Sequence, residues 1–330
     1  MGKISRIAVF TSGGDAPGMN AAVRAVVRTA LFHDLKVFGI YHGYDGMIRG
    51  EIRQLHSSDV SNIIQCGGTI LKSARSEEFR TKEGRKKAYE ELLKHDIEAV
   101  VAIGGDGTFR GAGAFTEEFN IPFVGLPGTI DNDLYGTDFT IGFDTAVNTV
   151  MEAVDKLRDT AASHERVFFV EVMGRDAGFI ALRSGIAVGA EAICIPEFET
   201  HLDELKAFLR KRNRRIKTSS IVLVAEGDDA GGAIEVSEKI KEDTEFAKLD
   251  IRVTILGHIQ RGGSPSAADR FLASRLGIAA VEALLDDQKS IMVGMVNNEI
   301  VHVPFNKTIK HHRTINEDLL DAVGILSLTK

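Results

Sequence analysis

Nine short apolar runs recur along the 330-residue chain: IAVF, KVFGIY, AVVAI, FVGL, VFFVEVM, AICI, SSIVLVAE, IRVTILG and IMVGMV. Between them lie amphipathic stretches such as AAVRAVVRTALF, EGRKKAYEELLKH, TAVNTVMEAVDKLRDTAASH and ADRFLASRLGIAAVEALL. Apolar residues at helical spacing mark the latter as helices, and several of the short runs are apolar throughout, as strands are when helices cover both faces. The alternation predicts an α/β fold of doubly wound, mostly parallel sheets, and nine strands suit two sheets better than one. No low-complexity linker separates two domains, so they should exchange chain more than once, with a break near residue 140 after DNDLYGTDFTIGF. Further on, MVNNEIVHV reads as a hairpin with Asn297 and Asn298 in its turn.

Charge and cysteine content narrow the function classes. Forty basic against 47 acidic residues give a net charge of −7, which argues against nucleic-acid or membrane-surface binding, so an anionic ligand needs a local basic cluster. The two cysteines, Cys66 and Cys194, support neither a disulfide framework nor a thiolate metal site and read as buried reduced thiols. MGKISRIAVFTSGG lacks the apolar core of a signal peptide, and no apolar run approaches the roughly 18 residues of a membrane span, so a cytoplasmic protein is expected.

One design occurs three times: an apolar strand, a glycine-rich turn with a polar group, then a helix. It appears in VFTSGGDAPGMNAAV, AIGGDGTFRGAGAF and VEVMGRDAGFIAL. In a doubly wound sheet such turns lie at the carboxyl ends of strands, where ligands bind. Glycine lets backbone N–H groups approach a ligand and the following helix N-terminus favours an anion, with phosphate the natural candidate. For any single turn, a tight connection needing glycine only for geometry is the plainer alternative. Neither G-x-G-x-x-G nor G-x-x-x-x-G-K-[ST] occurs. Asp106 inside GGDGT would repel phosphate unless a cation lies between, which points to a ligand of nucleotide-borne Mg²⁺; a helix-capping aspartate is the alternative.

In GLPGTIDNDLYGTD, Asp131 and Asp133 lie two residues apart after a short apolar strand, with Thr129 before them. If that loop is extended, both carboxylates face one site, and one can accept a hydroxyl proton while the other supports a metal. A solvated turn is the competing reading. Arg75, Arg166, Arg175, Arg252 and Arg261 all stand beside expected strand ends or glycine turns, with His258 near Arg261, and suggest guanidinium forks for phosphate oxygens.

Together, TSGGDAPGMNAAVR, GGTILKSAR, IGGDGT, PGTIDND, RDTAASHERVFFVEVMGR and LGHIQRGGSPSAADR closely resemble the bacterial ATP-dependent 6-phosphofructokinases, the phosphofructokinase A family, from about residue 5 to 300. The resemblance implies two doubly wound domains, a larger nucleotide-binding one from 1–140 plus about 258–305 and a smaller sugar-phosphate one from 141–257 plus about 306–330. It implies that Gly14, Arg75, Ser76, Gly105, Asp106, Gly107 and Thr108 hold ATP, with Mg²⁺ at Asp106 and a second contact from Asp133. By the same resemblance Asp131 is the base for the 1-hydroxyl of fructose 6-phosphate, flanked by Thr129 and Ile130, and Arg175 with Gly14 meets charge on the γ-phosphate. Met173, Gly174, Glu226, His258 and Arg261 line the sugar phosphate, while Arg166 and Arg252 reach it across a subunit interface of a homotetramer.

Three rivals are weighed against this. Pyrophosphate-dependent relatives typically carry a second aspartate at the position of Gly107 and a lysine at that of Gly128, and both are glycine here. Lipid and dinucleotide kinases share GGDGT but lack PGTIDND and GHIQRGG, and a silent nucleotide sensor should have lost Asp131 and Arg175. The family's regulatory site, which takes ADP or phosphoenolpyruvate, maps here to Arg24, Arg28, Asp59, Arg158, Glu191, Arg215 and Lys217. Ser57 and IKTSS depart from its more basic pattern, which leaves the effector open, and RKRNRR also reads as a solvated helix end.

Overall fold

The computed structural model describes residues 4–164, 166–213 and 220–310, with 314–315, 318–319, 322 and 325. Its elements run β1 (Arg6–Thr11), α1 (Met19–Phe32), β2 (Lys36–Ile40), α2 (Gly43–Ile48), β3 (Ile52–Leu55), α3 (Lys82–Lys94), β4 (Ala99–Gly104), α4 (Asp106–Phe119), β5 (Phe123–Pro127) and α5 (Phe143–His164). There follow β6 (Val167–Val172), α6 (Phe179–Val188), β7 (Ala192–Cys194), α7 (Leu202–Asn213), β8 (Ser220–Ala225), α8 (Ala233–Lys241) and β9 (Ile251–Ile255). The last are α9 (Ala267–Leu285), β10 (Ile291–Val296), β11 (Glu299–Pro304) and α10 (Phe305–Lys310).

The strands form two sheets, as the alternation of runs led us to expect. The larger has the order β11-β10-β5-β4-β1-β2-β3 and the smaller β7-β8-β6-β9. Every pairing is parallel except the two outer ones of the larger sheet, β2 with β3 and β10 with β11. Strands β4, β5 and β8 are buried at every position, which accounts for their uninterrupted apolar sequence. Asn297 and Asn298 take positive φ, 50° and 65°, and make the tight turn between β10 and β11.

The described residues within Met1–Ile130, Leu134–Thr145 and Arg261–Arg313 form one compact unit, and those within Asp131–Asp133, Ala146–Gln260 and Thr314–Lys330 a second. The larger sheet has a point where the order of connection reverses, and there the loops on neighbouring strands diverge and leave a crevice. That point lies between β1 and β4, the strands that precede TSGGD and GGDGT. In the smaller sheet β6 and β9 are neighbours, and they precede MGRDAG and GHIQRGG.

Two polar locks hold the first unit. Asp269 on α9 is 1% exposed, accepts hydrogen bonds from the N–H groups of Gly142 and Thr145 and the Thr145 hydroxyl, and so caps α5 from a distant helix. Arg85 on α3 grips Glu118 on α4 with two bonds of 2.7 Å. Cysteine needs a correction: Cys194 is buried, but Cys66 is exposed, because it lies in a surface turn before Gly67. Burial pushes the Cys194 thiol up to about 12, which keeps it protonated and unreactive.

Candidate active site

The GGDGT turn carries β4 directly into α4. None of Gly104, Gly105 and Gly107 has a positive φ, so their reason is space rather than backbone conformation. A Cβ on Gly104 would strike the Thr108 hydroxyl and lie 2.7 Å from the Ser12 carbonyl, which makes it a packing glycine. A Cβ on Gly107 would meet nothing within 4 Å. The turn is therefore closed on its inner side and open on its outer side, where the first N–H groups of α4 begin. Asp106 sits at this opening. Its Oδ2 pairs with Arg110 at 2.9 Å, while its buried Oδ1 has no hydrogen-bond partner.

Tyr44 supports the turn from below. Its hydroxyl donates to the Thr108 carbonyl at 2.5 Å, its ring stacks on Phe79 with centroids 3.8 Å apart, and full burial holds its phenol well above its ordinary pKa. Sequence reasoning missed this residue, because a tyrosine in GYDG carries no signal of a partner 64 positions away.

The TSGGD turn after β1 lies in the same unit. Ser73 donates to the Gly13 carbonyl at 2.5 Å, and Thr11 donates to the Lys72 carbonyl, so the loop bearing Arg75 and Ser76 is tied to this turn. Buried Asn20 adds a third tie, donating to Cys66 and Gly67 and accepting from the Ile70 N–H. Arg75 itself is exposed, and the Ser76 hydroxyl accepts from Phe79 N–H. Arg261 is 8% exposed and lies across Gly14: a Cβ there would come within 2.5 Å of its Nη1, which also donates to the Asp15 carbonyl. Gly14 and Arg261, expected to bind different ends of a reacting pair, are thus in contact.

After β5, Thr129, Ile130 and Asp131 are all buried, with Asp131 4% exposed, and Thr140 donates to the Thr129 carbonyl at 2.6 Å. Asn132 has φ 55°, so the loop is not extended there and the expected common orientation of Asp131 and Asp133 loses its basis. Asp131 is fully enclosed while Asp133 is only partly so. Arg175 Nε lies 3.7 Å from Asp131 Oδ2.

The MGRDAG turn is held in a strained shape. Arg175 has φ 53°, and Glu226 Oε1 accepts from the N–H groups of Gly174 and Arg175 at 3.3 and 2.8 Å. A side chain at Gly227 would strike the Arg175 carbonyl, so only glycine lets the two loops approach. Gln260, which the motifs did not single out, accepts from the Met173 N–H at 3.0 Å and leaves its buried Nε2 unpaired. His258 beside it is exposed.

Arg166 and Arg252 stand elsewhere in the second unit. Arg166 immediately precedes β6 and Arg252 is the second residue of β9, whereas Arg175 and His258 follow the carboxyl ends of these strands. Six-residue β6 places Arg166 about 17–20 Å from that strand's carboxyl end, beyond the reach of one side chain, and Arg252 stands three residues, about 10 Å, before the end of β9. Asp250 joins the two arginines, Oδ2 to Arg166 Nε at 2.8 Å and Oδ1 to Arg252 Nε at 2.9 Å. The Arg166 hydrogen bond, followed by the Arg252 charge, holds the Asp250 carboxyl below its usual range. Both η ends of each arginine are left without a partner among the described residues.

The expected effector residues are divided between the units, with Arg24, Arg28 and Asp59 in the first and Arg158 and Glu191 in the second. Arg24 and Arg28 are one helical turn apart on α1, and burial together with the Arg28 charge lowers the Arg24 pKa. Asp59 caps its own turn through the His56 N–H. Arg158 donates to the Val188 carbonyl at 2.6 Å, and Glu191 accepts from Ile221 N–H at 2.7 Å. Arg215 and Lys217 lie outside the described residues.

A family model described as Phosphofructokinase matches residues 6–284. ATP-dependent 6-phosphofructokinase 2 of Bacteroides thetaiotaomicron is 58% identical over 328 residues, covering 99% of this chain and 100% of that one. ATP-dependent 6-phosphofructokinase 1 of Thermus thermophilus is 58% identical over 325 residues, covering 98% and 100%. The structure of phosphofructokinase from Saccharomyces cerevisiae superposes with a TM-score of 0.88 at 38% identity over 98% of this chain, which spans 47% of that longer chain's length. The chain belongs to the phosphofructokinase family.

Proposed function

We propose that the chain phosphorylates fructose 6-phosphate with ATP to give fructose 1,6-bisphosphate and ADP, the glycolytic reaction, through the residue roles that follow. The turn at Gly104–Thr108 carries this reading: a closed inner side, an open outer side, and an aspartate with one buried unpaired oxygen at a helix N-terminus. The polyphosphate lies along the open side, held by Gly14, Gly105, Gly107 and Thr108 with Arg75 and Ser76. Among the described residues no group of three or more His, Cys, Asp or Glu side chains could hold an ion alone, which suits a metal that arrives on a nucleotide. The orphaned Asp106 oxygen fits such an ion, with Asp133 as a second contact. Mg²⁺, when bound, neutralises charge on the phosphates.

Asp131 takes the proton from the 1-hydroxyl, whose oxygen forms its bond to the γ-phosphorus as the bond to ADP breaks. Thr129 and Ile130 shape the approach. The Arg175 guanidinium and Gly14 N–H donate to the equatorial oxygens as charge develops. Met173, Gly174, Glu226, His258 and Arg261 bind the sugar phosphate. Glu226 and Gln260 have a further task in holding the backbone of Met173–Arg175.

Arg166 and Arg252, at the other end of their strands, serve the 6-phosphate of a second copy in a homotetramer. In support, β9 is an edge strand that leaves Ile255 51% exposed, and Ile259 just beyond it is 59% exposed. On the family resemblance, Arg24, Arg28, Asp59, Arg158, Glu191, Arg215 and Lys217 would contribute to regulatory binding of ADP or phosphoenolpyruvate. No helix among the described residues is long and apolar enough to cross a membrane, and the proposed reaction is a cytoplasmic one.

ATP is favoured over pyrophosphate by space as well as residue type. A side chain at Gly128 would come within 2.9 Å of Ile103 and 3.2 Å of Met19, so a lysine there requires the neighbours to move. Gly107→Asp tests the nucleotide site. An added Cβ meets no protein atom within 4 Å, so the thermal midpoint should stay where it is, while a carboxylate against the phosphates should weaken Mg-ATP binding at least about tenfold by calorimetry. Unchanged ATP affinity would mean that no phosphate lies against this turn.

A further inference from the structure

Arg110 has no part in the roles above, yet it holds Asp106, a carboxylate expected to meet the metal. It lies one helical turn beyond Asp106 on α4, with Nη2 2.9 Å from Asp106 Oδ2. The pair is lopsided: one oxygen carries the guanidinium, and the other is buried with no partner. A surface pair built for helix stability alone needs no such buried orphan, which destabilises the protein until a cation reaches it.

Arg110 also lines a cavity of about 460 Å³ between α4 and the β10–β11 hairpin. Gly113 and Ala114 leave that side of α4 low, and Glu117, two turns from Arg110 on the same helix, lines the same cavity. Among the described residues the Glu117 carboxylate has no ion-pair partner, whereas the cavity's other cation, Lys289, is engaged by the Asn120 side-chain oxygen at 2.8 Å. Arg110 thus stands on Asp106 on one side and borders a cavity that Glu117, about 10 Å further along α4, also lines.

We infer that Arg110 is a displaceable counter-cation that sets how tightly Asp106 takes the nucleotide's divalent metal. Without metal it neutralises Asp106 and holds the carboxylate facing the opening; when the metal arrives it is repelled from Oδ2 and swings towards Glu117. No bond is made or broken in this exchange. The inference rests on the reading of Asp106 as the metal's carboxylate, and it assigns a positioning role to a residue that touches neither substrate.

Mn²⁺ binding in the presence of saturating ADP, read as loss of the free-ion paramagnetic resonance signal, tests it without turnover. Arg110→Gln removes the competing charge and should tighten Mn²⁺ binding by about threefold to tenfold, and Arg110→Lys should stay near the parent. Asp106→Asn should weaken binding by at least about tenfold. If Asp106→Asn weakens binding but Arg110→Gln leaves it unchanged or weaker, the latch is wrong and the metal site stands. If Asp106→Asn binds Mn²⁺ as tightly as the parent, both the latch and the metal reading are overturned.

Discussion

Asp131→Ser should lower kcat by about a hundredfold or more while the KM for ATP stays within about twofold of the parent. Asp131 is enclosed, 4% exposed, at the end of a buried Thr129–Ile130 segment, and Arg175 Nε lies 3.7 Å from its carboxylate. That geometry gives a base a fixed position with a cation beside it to meet phosphate charge. Serine fills less volume, keeps a polar atom, and leaves the GGDGT turn untouched, so a loss confined to kcat reads as loss of the proton acceptor. Steady-state rates against both substrates check it, with exposed Asp203→Ser on α7 as the control that should change nothing. An equal loss in the control variant, or a loss that falls on the KM for ATP, would make Asp131 structural.

Arg252→Ala should raise the KM for fructose 6-phosphate by about tenfold to a hundredfold, the range for losing charge-assisted hydrogen bonds, with ATP binding intact. The physical ground is its place on β9. The Asp250 carboxylate ties it to Arg166 towards the amino ends of β9 and β6, away from the carboxyl ends that Arg175 and His258 follow, which is the ground for proposing that the pair serves another site. A partner copy is the nearest claimant. Mixing Arg252→Ala with Asp131→Ser subunits makes the distinction: hybrids that contain an intact base facing an intact borrowed arginine should regain activity. Well-mixed hybrids as inactive as their parents would put both residues in one subunit's site.

The sheets and the glycine turns were legible because each rests on short-range chemistry. A strand covered on both faces must be apolar throughout, and a turn that leaves space for a ligand must use glycine. Strand β3 escaped notice for the converse reason: IRQL is four residues with only its ends buried, and it is a strand because β2 lies beside it. Partners brought together by the fold were equally hidden. Nothing in GYDG announces that Tyr44 carries Thr108, and nothing in SPSAAD says that Asp269 caps a helix beginning more than a hundred residues earlier. Local rules misled at Asn132, whose left-handed backbone breaks the i, i+2 relation of the two aspartates. Adjacency to a strand marked Arg166 and Arg252 as notable, but only the parallel register of β6 with β9 set them together at the end away from Arg175.

The most direct measurement is the choice of phosphoryl donor. Initial rates of fructose 1,6-bisphosphate formation from fructose 6-phosphate should be followed by a coupled assay with Mg-ATP and with Mg-pyrophosphate in parallel. The open face at Gly107 and the crowded one at Gly128 lead to turnover with ATP and none above background with pyrophosphate. Turnover with pyrophosphate alone, or with neither donor, would contradict the account.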